Sequence, residues 1–263
     1  MTATGQAAAV LANAAFGDDP GRWPLPTATS PEDRWLRGVA AGGQGRYACA
    51  LAELAELSRT ASGPLLSLAY STRASFLRQT GWHTRARGAD GMALAHCGQD
   101  PEAASDALVG LAADALGVGR FGVSARLLER AHLIDAPRAR TAVRLAWVSA
   151  ELAMARGDGA AAVGHAERGV LAAADCGSTR HAIKSDVVLA AALCSAGRLD
   201  AAREVADAAL PAAEQSGMIP LRWALACLLA GIGSTAHTAA QVFEIRDVSA
   251  DTVRRRGGVW SGR

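Results

Sequence analysis

The sequence predicts an all-α chain, an α-solenoid of antiparallel helix pairs, from its glycine spacing, the text around those glycines and its composition. A glycine recurs at Gly45, Gly81, Gly119, Gly157, Gly197 and Gly233, at intervals of 36, 38, 38, 40 and 36 residues. A period of that length marks stacked repeats. Around five of these glycines the text is alike: GRYACALAEL, GWHTRARGAD, GRFGVSARLL, GDGAAAVGHA and GRLDAAREVA. Each glycine closes one amphipathic segment and opens the next. Helix formers (Ala, Leu, Arg, Glu) dominate, runs of strand-favouring Val, Ile, Thr and Tyr are nearly absent, and aromatic residues make up only 5%. At 263 residues the chain exceeds a usual single core, so it must split into domains or grow by stacking. The period decides for stacking.

The elements follow in order. Ala7 to Phe16 is an alanine-rich stretch that reads as an N-terminal helix, placed to cap the exposed end of the first repeat as solenoids require. Gly17 to Thr29, with Pro20, Pro24 and Pro26, is a loop, so residues 1–30 form an N-terminal helix and Pro-rich loop. Ser30-Pro31-Glu32-Asp33 places an N-cap, a proline at the first helical position and acids in the first turn, and Asp100-Pro101-Glu102 repeats the device. Breakers separate the pairs at Ser62-Gly63-Pro64, Ala136-Pro137, Cys176-Gly177-Ser178 and Ser216-Gly217. The repeats occupy 31–246, five full pairs and a poorer sixth, and a basic tail fills 247–263.

A glycine between the two helices of a pair suits a tight turn, because it takes positive φ without a Cβ clash. With each glycine set at motif position 15, position 8 falls on Gly38, Ala74, Ala112, Ala150, Ala190 and Ala226. Position 20 falls on Ala50, Ala86, Ser124, Ala162, Ala202 and Thr238, and position 27 on Leu57, Ala93, Ala131, Gly169, Ala209 and Ile245. Small residues recur where helices must cross at close range. The pattern resembles the tetratricopeptide repeat, a helix pair of about 34 residues, and covers about 31 to 246. It departs from that family in its longer period and in lacking the motif's Trp at position 4 and Pro at position 32. In this it looks like the degenerate long-repeat modules of bacterial LuxR-type regulators.

The resemblance implies that the first helices of the pairs line a concave groove. It puts Trp35, Trp147 and Trp223 at one motif position on that surface, with Arg78, Arg144, Glu151 and Lys184 nearby. Tryptophan and arginine are the types most enriched at binding hot spots, so these seven residues are the expected groove contacts for a peptide or helix of a partner protein. The alternative role for the tryptophan rings is to fill gaps between alanine-rich helices. The Lys and Asn pattern that clamps a chaperone's C-terminal carboxylate is missing.

Other function classes find little support. The formal charge is +2, too small for a global field that would mark a nucleic-acid or membrane binder. There is no P-loop, no GxGxxG after a strand, no GxSxG elbow and no HExxH. The chain is therefore expected not to be an enzyme and to need no metal or cofactor. Its six histidines are scattered. The cysteines, Cys49, Cys97, Cys176, Cys194 and Cys227, are odd in number and unpaired in spacing, as core fillers in a reducing compartment would be. No positive residue precedes the N-terminal apolar stretch, and the longest apolar run elsewhere, Trp223 to Ile232, is too short to cross a bilayer. A cytoplasmic protein without a membrane partner is expected.

The tail allows a second expectation. TAAQVFEIRDVSADTVRRR resembles a bacterial helix-turn-helix in Val248, Ser249, Thr252 and Val253, but Phe243, Arg246 and Asp247 stand where that motif wants small residues, Leu and Gly. On this reading the protein is a transcription-associated regulator whose tail, through Thr252, Arg254, Arg255, Arg256 and Trp260, contacts DNA or the transcription machinery. Otherwise Thr238, Val242 and Ile245 belong to the second helix of the sixth pair, a capped terminal helix starts at Ser249, and the chain ends in a basic arm for phosphates or a partner.

Overall fold

The computed structural model describes residues 3–135 and 139–262, and these form thirteen helices with no strand among the described residues. An N-terminal helix, α1 (Ala3–Phe16), precedes six antiparallel pairs. These are α2 (Pro31–Gly43) with α3 (Tyr47–Thr60), α4 (Gly63–Gln79) with α5 (His83–His96), and α6 (Pro101–Gly117) with α7 (Phe121–His132). Next come α8 (Ala139–Ala155) with α9 (Gly159–Cys176), α10 (Thr179–Ser195) with α11 (Leu199–Gln215), and α12 (Ile219–Ile232) with α13 (Ala239–Arg255).

The periodic glycines sit at the six turns inside the pairs, each with φ between 72° and 88°, a region that costs other residues strain. Helix starts follow the sequence signals. Ser30 and Asp100 accept from the main-chain N–H three residues on, with Pro31 and Pro101 in the first turn. The breaker expected at Ala136-Pro137 lies outside the described residues. Position 8 of every pair is buried, with Ala74, Ala112, Ala150, Ala190 and Ala226 wholly enclosed. Position 20 is equally enclosed in five pairs, while Thr238 is instead the N-cap of α13, in a reciprocal capping box with Gln241.

The long period also has a place in the structure. α4, α6, α8 and α10 each run 17 residues and begin four residues ahead of the first motif position. That is about one extra turn at 3.6 residues per turn. The surplus over a 34-residue unit therefore lengthens the first helix of the middle pairs.

The even-numbered helices pack on one another in series, whereas the main contacts of the odd-numbered ones are with even-numbered neighbours. The even set thus forms the inner wall of a coil. Its single turn closes. Pro220 and Val253 of the sixth pair pack at Gly45, Ala48 N donates to Arg256 O at 3.0 Å, and the Arg256 guanidinium donates to Gln44 O at 2.7 Å.

α1 does not cap the outer end of the first pair. It lies against α2 and reaches α10, with Phe16 5.4 Å from Trp35 and 6.2 Å from His181, centroid to centroid. The loop after it is tied across the coil: Thr179 N donates to Gly17 O at 3.1 Å, and Gln44 Nε2 donates to Pro20 O and Arg22 O at 2.9 Å. A closed coil presents the sixth pair to the first, so the helix buries its aromatic end in the bore instead. Of the cysteines, all free, Cys97 is buried, three are partly buried, and Cys49 is exposed rather than a core filler. No helix of the described residues is long and apolar enough to cross a membrane.

Candidate functional site: the central cavity

Trp35, Trp147 and Trp223 stand at one register position of α2, α8 and α12, and closure of the coil brings all three to a partly enclosed central cavity of about 310 Å³. All six inner helices contribute to its wall, joined by Phe16 and by Trp260 from beyond α13. The rings are held. Trp35 Nε1 donates to Thr72 Oγ1 at 3.0 Å, and Trp147 Nε1 donates to Ser185 Oγ at 2.9 Å. Trp147 stacks on His181 at 5.4 Å and 18°, and Trp223 packs on Trp260 with centroids 4.4 Å apart.

One side of the cavity is cationic. Arg140 pairs with Glu102 and, at 2.7 Å, with Asp106, and Arg144 reaches the other Asp106 oxygen at 2.5 Å. Burial alone would push the Asp106 carboxyl up, but Arg140 and Arg144 outweigh it and hold the group below the usual carboxylate range. Lys184 lies 3.6 Å from Glu151 and 5.8 Å from the Trp147 ring centroid. Arg180 has no carboxylate within ion-pair distance among the described residues and rests 5.4 Å from the centroid of Phe16. Burial, then the charges of Arg140 and Arg144, pull its pKa down to about 10. The same burial and the neighbouring arginines press His181 down to about 2, so the ring is neutral, its Nδ1 2.9 Å from Ser178 Oγ.

The expected groove residues divide. Trp35, Arg144, Trp147, Lys184 and Trp223 line the cavity, and Glu151 is the counter-ion of Lys184. Arg78 is not a surface contact. It is enclosed between Asp90 of α5 and Asp114 of α6, pairing with both and donating to Gly110 O at 3.3 Å. Two carboxylates on one guanidinium are hard to ionise together. Asp90 is accordingly pushed up to about 7, by burial first and by Asp114, against the pull of Arg78.

The tail departs from the helix-turn-helix expectation. Val248 and Ser249 lie inside α13, which runs unbroken from Ala239 to Arg255, and Ser249 Oγ donates to Ile245 O at 2.6 Å. No Gly or Pro interrupts that stretch, so nothing in it favours a turn. Thr252 donates to Val248 O at 2.8 Å, Arg254 pairs with Asp251, and Arg255 donates to Thr252 Oγ1 at 3.0 Å. Arg256 is committed to closing the coil. Beyond it the chain is no longer helical: Trp82 Nε1 donates to Val259 O at 2.7 Å, and Ser261 N donates to Thr80 O at 2.8 Å.

Sequence reasoning missed Phe16, Asp106, Arg140, Arg180 and His181. A signal for two of them was present. Arg140 and Arg144 form a basic i,i+4 pair, and Arg180 and Lys184 repeat it forty residues later, the same interval that separates Gly157 from Gly197. Arg140 and Arg180 lie in the extra first turn of their helices, ahead of the motif, where the 34-residue register does not look. No family model, no curated protein and no solved structure matches this chain.

Proposed function

We propose that the protein is a partner-recognition module of the tetratricopeptide-like kind, cytoplasmic and without a reaction of its own, which takes a non-helical, aromatic-bearing segment of another protein on its inner rim. One observation carries this reading: the chain's own Val259-Trp260-Ser261 lies there in that manner. Its backbone is met by Trp82 and Thr80, and its indole by Trp223. Main-chain hydrogen bonds with a buried aromatic anchor are a recurrent basis of peptide recognition. Five free thiols support a reducing compartment.

The full-length Trp260→Ala variant should bind a labelled peptide of the sequence RGGVWSG, measured by fluorescence anisotropy, whereas the wild-type chain, with its own segment in place, should bind it at least tenfold more weakly. Adding Trp223→Ala should remove the binding. Failure of Trp260→Ala to bind the peptide at millimolar concentration, with its helical content intact, rejects the proposal.

A further inference from the structure

The central cavity holds more positive charge than the carboxylates paired with it among the described residues. Among the described residues four cations stand around it, Arg140, Arg144, Arg180 and Lys184, and the carboxylates paired with them are Glu102, Asp106 and Glu151. The surplus positive charge falls on Arg180, which faces an aromatic ring and no acid. A partly buried charge in such surroundings is unfavourable unless a counter-charge arrives. Arg140 and Arg180 also stand in the first turns of α8 and α10, where the positive ends of the helix dipoles add to the field.

The remaining wall is apolar and flat, built from the indoles of Trp35, Trp147, Trp223 and Trp260. Rings of this kind favour planar bodies packed face-on or tilted. A volume of about 310 Å³ stands at the small end of the roughly 300–1,000 Å³ typical of small-molecule sites.

We propose that the cavity binds a small organic monoanion, a flat apolar body of one or two fused rings lying among the four indoles, with its carboxylate on Arg180. A cationic ligand of the same shape is rejected by the surplus charge, and a neutral one leaves that charge unanswered. The site is complete with the C-terminal segment in place, so it does not depend on that segment being displaced by a partner.

Isothermal titration and thermal shift of the full-length wild-type chain with 1-naphthaleneacetate, its amide, and 1-naphthylmethylamine test this. The carboxylate should bind at least tenfold more tightly than the amide and raise Tm, and the amine should not bind. Arg180→Met should weaken the carboxylate at least tenfold, while the ligand-free variant keeps or gains thermal stability because an unanswered charge has gone. A merely structural Arg180 would lower Tm instead. Arg180→Lys should restore part of the affinity. The proposal is overturned if acid and amine bind alike, if no compound binds at 1 mM, or if folded Arg180→Met binds the carboxylate as the wild type does.

Discussion

Arg78 sits in the register of a groove contact yet serves as the common counter-ion of two enclosed carboxylates, and Arg78→Met separates the two roles. Asp90 and Asp114 have no exposed side-chain surface, and Arg78 joins them. Removing one partner from a buried ion pair costs about 3–5 kcal/mol, because the other charge stays desolvated and unpaired. At about 2–4 °C per kcal/mol for a chain somewhat shorter than this one, Tm should fall by on the order of 10 °C. The loss must also depend on pH. Asp90 is already pushed up to about 7 in the fold, against about 3.9 in an unfolded chain. The folded state therefore holds a proton that the unfolded state releases. The stability from that proton is full below pH 4 and lost as pH rises through 7. Without the guanidinium both carboxyls rise further, so the deficit of Arg78→Met should be larger at pH 8 than at pH 5. Urea unfolding followed by circular dichroism at both pH values gives the comparison, and adding Asp90→Asn with Asp114→Asn should recover most of the loss. A deficit under about 1 kcal/mol at pH 8, or one indifferent to pH, would show that Arg78 does not hold the two carboxylates as a buried counter-ion. Arg78 would then be the accessible contact that its register suggests.

Other consequences can be measured alongside. Gly110→Ala would place a Cβ 2.3 Å from Asp90 Oδ2, and overpacking of that kind costs about 1–3 kcal/mol; an unchanged urea midpoint would show that the carboxylate has room to move. His181, held near 2 by burial and the arginines, should keep the NMR shifts of a neutral ring from pH 8 down to 4.5. Since its folded pKa lies below the unfolded value of about 6.5, its contribution to stability is present above that value and declines as pH falls below it. His181→Gln should flatten the decline, and a His181 signal titrating near pH 6 would show the cavity to be wetter and less cationic than its geometry implies.

The helices and their pairing were legible because their causes are local. A glycine that alone tolerates φ near 75° marks each turn within a pair, and alanines at a constant offset mark where two backbones must approach. Ser30 and Asp100 show their capping role in four residues of text. The three tryptophans were also found, since a shared register position turns them to a shared face. α13 was read less well: the Val-Ser pair suggested a turn, but Thr238 and Gln241 start a helix that no residue before Arg255 interrupts. Arg78 failed for a different reason. Its position said which way it points, and only Asp90 and Asp114, on two other helices, determine that the space there is closed.

The sequence by itself thus determined what each forty-residue stretch becomes, because turn, cap and close crossing are encoded within reach of one another along the chain. The tertiary structure alone decided that six such units close in a single turn, that Phe16 and Trp260 come to the same cavity, and that Arg180 is left without an acid among the described residues. Closure is the sum of small rotations between neighbouring pairs, and the charge balance of the bore is a sum over residues as far apart as Glu102 and Lys184. Neither sum is written at any one position.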